Sequence, residues 1–428
     1  MTALTVQYKG AKMKKLNYII CVAVFSQLVG CGQGTADGDR VPEVRNRSIV
    51  TGVVERVLDK LFVGGTAESL AHGIAVETTV HHMLQKEVER ILWKCADTND
   101  TGRGWAVVMQ TDGAILALAD CGYPAATNAE GQTVWKPAAV ADPYEPGSVI
   151  KPITAALALE DRIVEIDSAI NTNRKDPRYS KLPSDGGREW GKAMTVGEAV
   201  VKSSNIVMGK IGCDLGARRV CEGFRMFGLG RGLPMIGVGR DGETCFIPRF
   251  DRWSRAMRSR IPIGQGLCLS GLELARAYSV FANKGRLVEP FLVRRIRDRE
   301  GHVFYEHGVT PGVRVISEQT AECMHQILME AAGAGGTGHC ASGGGLPVAG
   351  KTGTVLRTEG YRPLEGRYQA TFAGYYPADN PKFVIVVKFE TARSKGASLH
   401  QGGGRSALAF ADLVRWLSSN WVRTAPLL

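Results

Sequence analysis

Several large functional classes are missing their signatures in this chain. No Cys-x-x-Cys pair and no His-x-x-x-His helix occurs among its 428 residues, so a metal centre has no ligand set to start from, and neither a metal nor another cofactor is expected. The glycine-rich stretch Gly333 to Gly345 could cradle a phosphate. No Gly-x-Gly-x-x-Gly opens a helix after a strand, however, and nucleotide binding is not expected. The apolar run from Leu16 to Gly30 covers 15 residues, short of the roughly 20 that a membrane-spanning helix needs. There is no internal repeat and no compact basic motif with interleaved aromatics. The formal charge of +11 is spread from Lys9 to Arg423, so nucleic acid is not an expected partner and the charge reads as solvated surface.

What is present describes a globular body. An apolar content of 44% with unperiodic Gly and Pro suits one large core or two modest ones. Near the amino terminus, Met13-Lys14-Lys15 precedes the apolar run, and small residues precede Cys31. That is the layout of a secretory signal, and Leu28-Val29-Gly30-Cys31 resembles a bacterial lipoprotein cleavage box. Residues 1–31 are therefore expected to be a leader, and residues 32–77 a linker with a short N-terminal segment. The expected location is outside the cytoplasmic membrane, held to it by lipid or by a short uncleaved anchor. Eight cysteines remain beyond Cys31; an exported chain permits disulfides such as Cys213 with Cys221, but the spacings do not fix partners.

The chemistry centres on Tyr144-Glu145-Pro146-Gly147-Ser148-Val149-Ile150-Lys151-Pro152. Pro146-Gly147 breaks the preceding segment and the apolar run Ile153 to Leu159 follows, so Ser148 and Lys151 stand three apart at a helix start, on one face. A serine hydroxyl needs a base to become a nucleophile. A lysine is one only when burial or a second cation favours its neutral form. By chance alone, a Ser-x-x-Lys turns up roughly once or twice in a chain of this size; here it occurs once.

Taken in order, Val80 to Trp93 reads as an amphipathic helix with Leu84, Val88, Ile91 and Leu92 on one stripe. Trp105 to Met109 and Ala114 to Ala119 form a hairpin about Thr111-Asp112-Gly113. Capping boxes open helices at Thr195/Glu198 and Ser270/Glu273, the first running through Val201 and the second through Ala282. A further helix spans Ile206 to about Leu215, which sets Ser203 and Asn205 on a tight helix-to-helix turn. Phe291 to Ile296 with Val303 to Tyr305 is a second hairpin, and Ser317 caps a helix to Ala332. Ala370 to Tyr375 with Phe383 to Phe389 is a third hairpin, and Ser406 to Leu417 closes the chain. Strands from both ends around a helical middle predict an α+β fold, with an antiparallel sheet built from both termini.

Three short motifs follow one another: Ser148-x-x-Lys151, then Ser203-x-Asn205 after 55 residues, then Lys351-Thr352-Gly353 after a further 148. Such a set belongs to β-lactamases and penicillin-binding proteins. One motif alone misleads, since Ser418-Ser419-Asn420 repeats the second. The likeness extends to Thr78-Thr79-Val80 with Leu84-Gln85, to the first hairpin, to Ile263-Gly264-Gln265-Gly266, to Ala349 through Thr354, and to Phe372-Ala373-Gly374-Tyr375. From about Thr78 to Trp416 the chain resembles the penicillin-binding protein transpeptidase domain, especially that of monofunctional, division-type enzymes, and residues 78–428 are assigned to it. Two departures stand out. His81 replaces the usual aspartate at the opening helix, and the interval from Cys31 to Thr78 is far shorter than the non-catalytic domain such proteins carry in front.

The resemblance implies a D,D-transpeptidase. Ser148 would attack the penultimate D-alanine of a peptidoglycan stem peptide with Lys151 taking its proton, and Lys351 would help keep Lys151 neutral. Ser203 would relay a proton to the leaving amine, and Asn205 would hold Lys151 and the substrate amide. Thr352 and Thr354 would bind the substrate carboxylate, with Gly353 giving room for the peptide along the strand. It implies also β-lactams as covalent inhibitors, a glycosyltransferase or division or elongation partner, and membrane attachment at the N-terminus. A D,D-carboxypeptidase, a β-lactamase and a non-catalytic β-lactam sensor or wall-binding scaffold of the same fold are the alternatives.

Overall fold

Apolar runs from the two ends of the sequence converge in one sheet. The computed structural model describes residues 5–6, 74–97, 102–123, 126–127, 133–134, 137–233, 245–298, 300–308, 310–359, 362–392 and 404–424. The expected leader, lipoprotein box and tether lie outside these residues, Thr5–Val6 excepted. Strands β1 (Arg103–Gln110), β2 (Ile115–Cys121), β3 (Ala349–Glu359), β4 (Arg362–Tyr376) and β5 (Phe383–Ala392) make an antiparallel sheet in the order β3-β4-β5-β1-β2. The β5–β1 ladder, from Phe383 opposite Gln110 to Glu390 opposite Arg103, is where the chain ends meet. Among the described residues, eight helices of six residues or more surround the sheet: α1 (His82–Asp97), α2 (Lys151–Glu160), α3 (Val196–Val201), α4 (Asn205–Leu215), α5 (Ala217–Met226), α6 (Gly271–Ala282), α7 (Glu318–Ala332) and α8 (Gly404–Thr424).

Both faces of the sheet are covered, which is why β1 and β5 read as continuous apolar runs rather than alternating ones. Trp105, Val107 and Met109 face the helical middle, where they join the core of α2, α4 and α6. Ala106, Val108, Ile385 and Val387 face the other way, against Leu84, Val88 and Ile91 of α1 and Phe410 and Val414 of α8. β3 is an edge strand of this sheet.

The caps follow the sequence closely. Thr195/Glu198 and Ser270/Glu273 are complete capping boxes, and Ser317 accepts the Thr320 N–H. His81, in place of the usual aspartate, caps α1: its Nδ1 accepts the Leu84 N–H at 3.2 Å.

Other features depart from expectation. The segment before Thr78, too short and unpatterned to signal a strand, forms one at Ile74–Thr78, paired with Val293–Asp298 of the second hairpin. β3 and β4 continue well beyond the apolar stretch Ala370 to Tyr375 as a long hairpin. The disulfide suggested for Cys213 and Cys221 is not formed; both thiols are free. The corner at Gly216 (φ +79°) separates the two helices, and Cys221 is buried with its thiol toward the Pro248 carbonyl, away from half-buried Cys213.

The α6 capping box is fully buried, with the Ser270 hydroxyl accepting the Glu273 N–H at 3.2 Å. Ser270→Ala is expected to lower unfolding free energy by about 1–2 kcal/mol. Urea denaturation should show a lower midpoint at unchanged slope.

Candidate active site

The segment Gly147–Ile150 is a single 3-10 turn that runs into α2 at Lys151. In such a turn residues three apart eclipse one another, so the side chains of Ser148 and Lys151 lie one above the other, and the Lys151 N–H bonds the Ser148 carbonyl. Pro152 is tolerated here because the first helical N–H groups have no partner within the helix. The turn is held from outside. Gly147 N–H donates to the Gly264 carbonyl at 3.0 Å, and a Cβ on Gly264 (φ +85°) would stand 2.0 Å from the Gly147 oxygen, so only glycine fits. Gly266 N–H donates to Glu145 Oε1 at 2.9 Å. One step before, the Tyr144 hydroxyl meets Thr371 Oγ1 of β4 at 2.9 Å, with the buried Lys388 ammonium 4.9 Å from its ring centroid. Ser148 is half-buried.

Beneath Ser148, Lys151 is wholly buried. Its Nζ lies 2.7 Å from the Ser203 carbonyl, 2.7 Å from Asn205 Oδ1 and 3.1 Å from Ser203 Oγ. The last three groups come from the corner between α3 and α4. Ser203 takes a left-handed conformation (φ +61°), which turns the chain so that its carbonyl and hydroxyl reach the same amine. Ser204 caps α4 by accepting the Val207 N–H. Asp185 locks the corner from below, accepting from the backbone N–H of Asn205 and of Ile206, and from the Ser204 hydroxyl at 2.8 Å. The Asn205 amide donates to the Ser184 carbonyl at 2.6 Å, which fixes its oxygen toward Lys151.

The third motif arrives on β3. Lys351 is fully buried and its Nζ donates to Thr337 Oγ1 (3.1 Å), to the Thr352 carbonyl (3.1 Å) and to Thr352 Oγ1 (3.2 Å). Thr337 and Thr352 hydroxyls are 2.7 Å apart. Gly353 lets the strand lie on the nucleophile turn, since a Cβ there would come within 2.7 Å of the Pro146 carbonyl oxygen. Val355 packs against Gly147, and Thr354 is half-buried between them.

Burial and neighbouring cations lower both lysines. Burial first, and then the Lys351 charge, hold Lys151 well below the usual lysine range. Burial and the Arg188 guanidinium bring Lys351 down to about 7. A neutral amine has two N–H donors and one lone pair. For Lys151 the two carbonyl oxygens at 2.7 Å match the donors, which leaves the lone pair on the side of the Ser203 hydroxyl at 3.1 Å.

All the residues expected from the motifs converge here. Thr337, Asp185 and Arg188 were missed: they sit in polar, turn-rich stretches without periodicity, and only their place in the fold marks them, Thr337 against Lys351 and the other two on the corner that holds Lys151. The second Ser-x-Asn lies in α8, on the opposite face of the sheet, where Asn420 donates to the Trp416 carbonyl. Gly345 through Thr352 happens to spell Gly-x-x-x-x-Gly-Lys-Thr, but Gly350 to Thr352 lie within strand β3. No helix start follows to receive a phosphate, as that motif requires.

A serine at a helix start, a buried lysine one turn on and a second lysine on an edge strand fit the class of serine proteins built on the β-lactamase-like α+β fold. Residues 104–414 match the penicillin binding protein transpeptidase domain, and the chain belongs to that family. Penicillin-binding protein PbpB of Mycolicibacterium smegmatis is 30% identical over 363 residues, covering 81% of this chain and 54% of that protein. Peptidoglycan D,D-transpeptidase FtsI of Escherichia coli K12 is 27% identical over 364 residues, covering 82% and 57%. The chain thus spans little more than half the length of these curated relatives. Among solved structures, penicillin binding protein 3 of Mycobacterium tuberculosis aligns with a TM-score of 0.68 at 26% identity, over 81% of this chain and 79% of that one.

The depressed lysine has a stability consequence. With a folded-state value of about 7 against an ordinary 10.5, Lys351 binds fewer protons in the folded chain than in the unfolded one between those two pH values. Its cost to folding is full below about pH 7, shrinks as pH rises and vanishes above 10.5. The stability of Lys351→Met relative to wild type is therefore expected to fall as pH rises from 7 to 10. Denaturant unfolding at a series of pH values measures it; a difference independent of pH would contradict the assigned burial.

Proposed function

We propose that this protein is a serine D,D-transpeptidase that cross-links peptidoglycan stem peptides and is acylated by β-lactams. The observation that carries the reading is the environment of Lys151: a wholly buried amine, held well below the usual lysine range, with the Ser203 hydroxyl at 3.1 Å and Ser148 one turn before it in the chain. Lys151 accepts the Ser148 proton as Oγ attacks the carbonyl of the penultimate D-alanine, and the terminal D-alanine departs, leaving an ester on Ser148. Ser203, 3.1 Å from the Lys151 amine, passes the proton to the leaving nitrogen. Asn205 orients Lys151 and the substrate amide.

Lys351, in its protonated form, attracts the substrate's terminal carboxylate, which Thr352 and Thr354 bind through their hydroxyls. Gly353 leaves the edge of β3 open to a peptide pairing along it. The backbone N–H groups of Ser148 and Thr354 form the oxyanion hole; one such donor is typically worth about 2.7 to 4 kcal/mol of barrier. An amine of a second stem then attacks the ester and closes the cross-link.

The relatives named as D,D-transpeptidases and the M. tuberculosis structures solved with aztreonam and with ampicillin support the same chemistry. The reading extends to a protein exported and attached to the membrane through its leader or a lipidated Cys31, working beside a glycosyltransferase or a division or elongation partner. Among the described residues no helix is long and apolar enough to cross a membrane. Mass spectrometry of the mature N-terminus tests the lipid.

A fluorescent penicillin is expected to label the wild-type protein lastingly, Ser419→Ala equally, and Ser148→Ala not at all; label on Ser148→Ala would refute the site. With a defined muropeptide and an acceptor amine, cross-linked product is expected. Release of D-alanine with only hydrolysed donor would make the protein a carboxypeptidase instead.

A further inference from the structure

Arg188 stands at the edge of this site without an assigned task. The Gly186-Gly187 turn returns the chain over the α3–α4 corner, and Arg188 is exposed there. Three of its N–H groups are fixed by backbone carbonyls: Nε donates to Asp185 (3.0 Å), one terminal nitrogen to Lys202 (2.8 Å) and the other to Ser203 (3.3 Å). The guanidinium also lies 5.2 Å from the Trp190 ring centroid. The Ser203 carbonyl is the one that Lys151 Nζ contacts at 2.7 Å, so the guanidinium is a single carbonyl away from the buried amine.

Carbonyl oxygens orient this cation but do not neutralise it. Among the described residues no carboxylate pairs with Arg188. Asp185 is close, but its oxygens are turned inward, to the backbone N–H groups of Asn205 and Ile206, the Ser204 hydroxyl and the Trp190 indole. A guanidinium has five N–H donors; with three engaged, one remains on each terminal nitrogen for an outside acceptor. A long arginine side chain ordinarily loses much rotamer freedom on being held. Here three hydrogen bonds and an aromatic face hold it already, so an anion arriving at it meets a preorganised cation.

We propose that Arg188 is a specificity-determining binding residue that takes a second carboxylate of the acyl donor, in the side chain upstream of the scissile bond and distinct from the terminal carboxylate assigned to Lys351 and the threonines. The inference rests on the acyl-transfer reading above and adds a preference to it: donors carrying an anionic side chain are captured faster than their neutral counterparts. Arginine suits this task because its planar fork matches a carboxylate.

Benzylpenicillin and carbenicillin test it, because they differ only in a side-chain carboxylate. Second-order acylation constants are measured on the full chain by competition with a fluorescent penicillin, and the readout is the carbenicillin-to-benzylpenicillin ratio. Arg188→Gln is expected to lower that ratio by about tenfold, the scale of one partly exposed charge-assisted hydrogen bond, and Arg188→Lys by less. An equal change for both drugs, or none, would overturn the assignment, because a structural role or an effect through the lysines moves both alike.

A second arm uses wild-type protein with two synthetic peptides ending in D-alanyl-D-alanine, one with a free upstream side-chain carboxylate and one with it amidated. Faster D-alanine release from the free acid supports the proposal, and equal rates contradict it. Failure of both penicillins to acylate wild type would sink the parent reading instead, whereas failure of carbenicillin alone would overturn only the role given to Arg188, so the two failures are distinct.

Discussion

Everything at this site follows from one amine that the fold places where a charge is costly. Lys151 is buried at the first turn of α2, where three oxygens of Ser203 and Asn205 surround its nitrogen. Isolated in an apolar medium an ammonium would be expelled or neutralised. The second outcome is the useful one, since a neutral amine beside a hydroxyl is a base. The surrounding structure serves to keep that amine in place without giving it a carboxylate that would restore its proton. Asp185, whose charge pulls the other way, makes its hydrogen bonds to backbone N–H groups and the Ser204 hydroxyl and not to the amine. The second cation, Lys351, pushes in the same direction as burial.

Bringing the two lysines together imposes the topology. One comes from a helix in the middle of the chain and the other from an edge strand near its end, and the strand must lie against the turn that carries Ser148. Gly353 permits that approach on one side and Gly264 on the other. The sheet that presents β3 is completed only by the ladder between β5 and β1, so the geometry of the site depends on contacts between residues nearly 300 positions apart. This is why the domain has its termini at the same sheet and its helical middle inserted between strands.

Much of this was legible in the sequence because the signals are local. Capping boxes at Thr195 and Ser270 fixed helix starts to the residue, and the Pro146-Gly147 break fixed the nucleophile turn. The order of the three motifs identified the site where each motif alone, as Ser418-Ser419-Asn420 warns, did not. The missing parts are non-local. The strand at Ile74–Thr78 exists only because the second hairpin offers it an edge, and the β3–β4 hairpin continues through polar residues held by pairing rather than by burial. Asp185, Arg188 and Thr337 lie in loops whose composition says only that they turn; their importance comes from what they hold, the α3–α4 corner for the first two and Lys351 for Thr337. Cysteine count suggested cross-links that the helix corner at Gly216 does not make.

The most direct measurement is an NMR titration of the lysine ε-methylene carbons, with Lys151 and Lys351 assigned by substitution. The account predicts that both titrate well below the usual lysine range, which makes the amine of Lys151 available as a base. If both resonances instead move together with the surface lysines, the buried base does not exist and the acyl-transfer account fails with it.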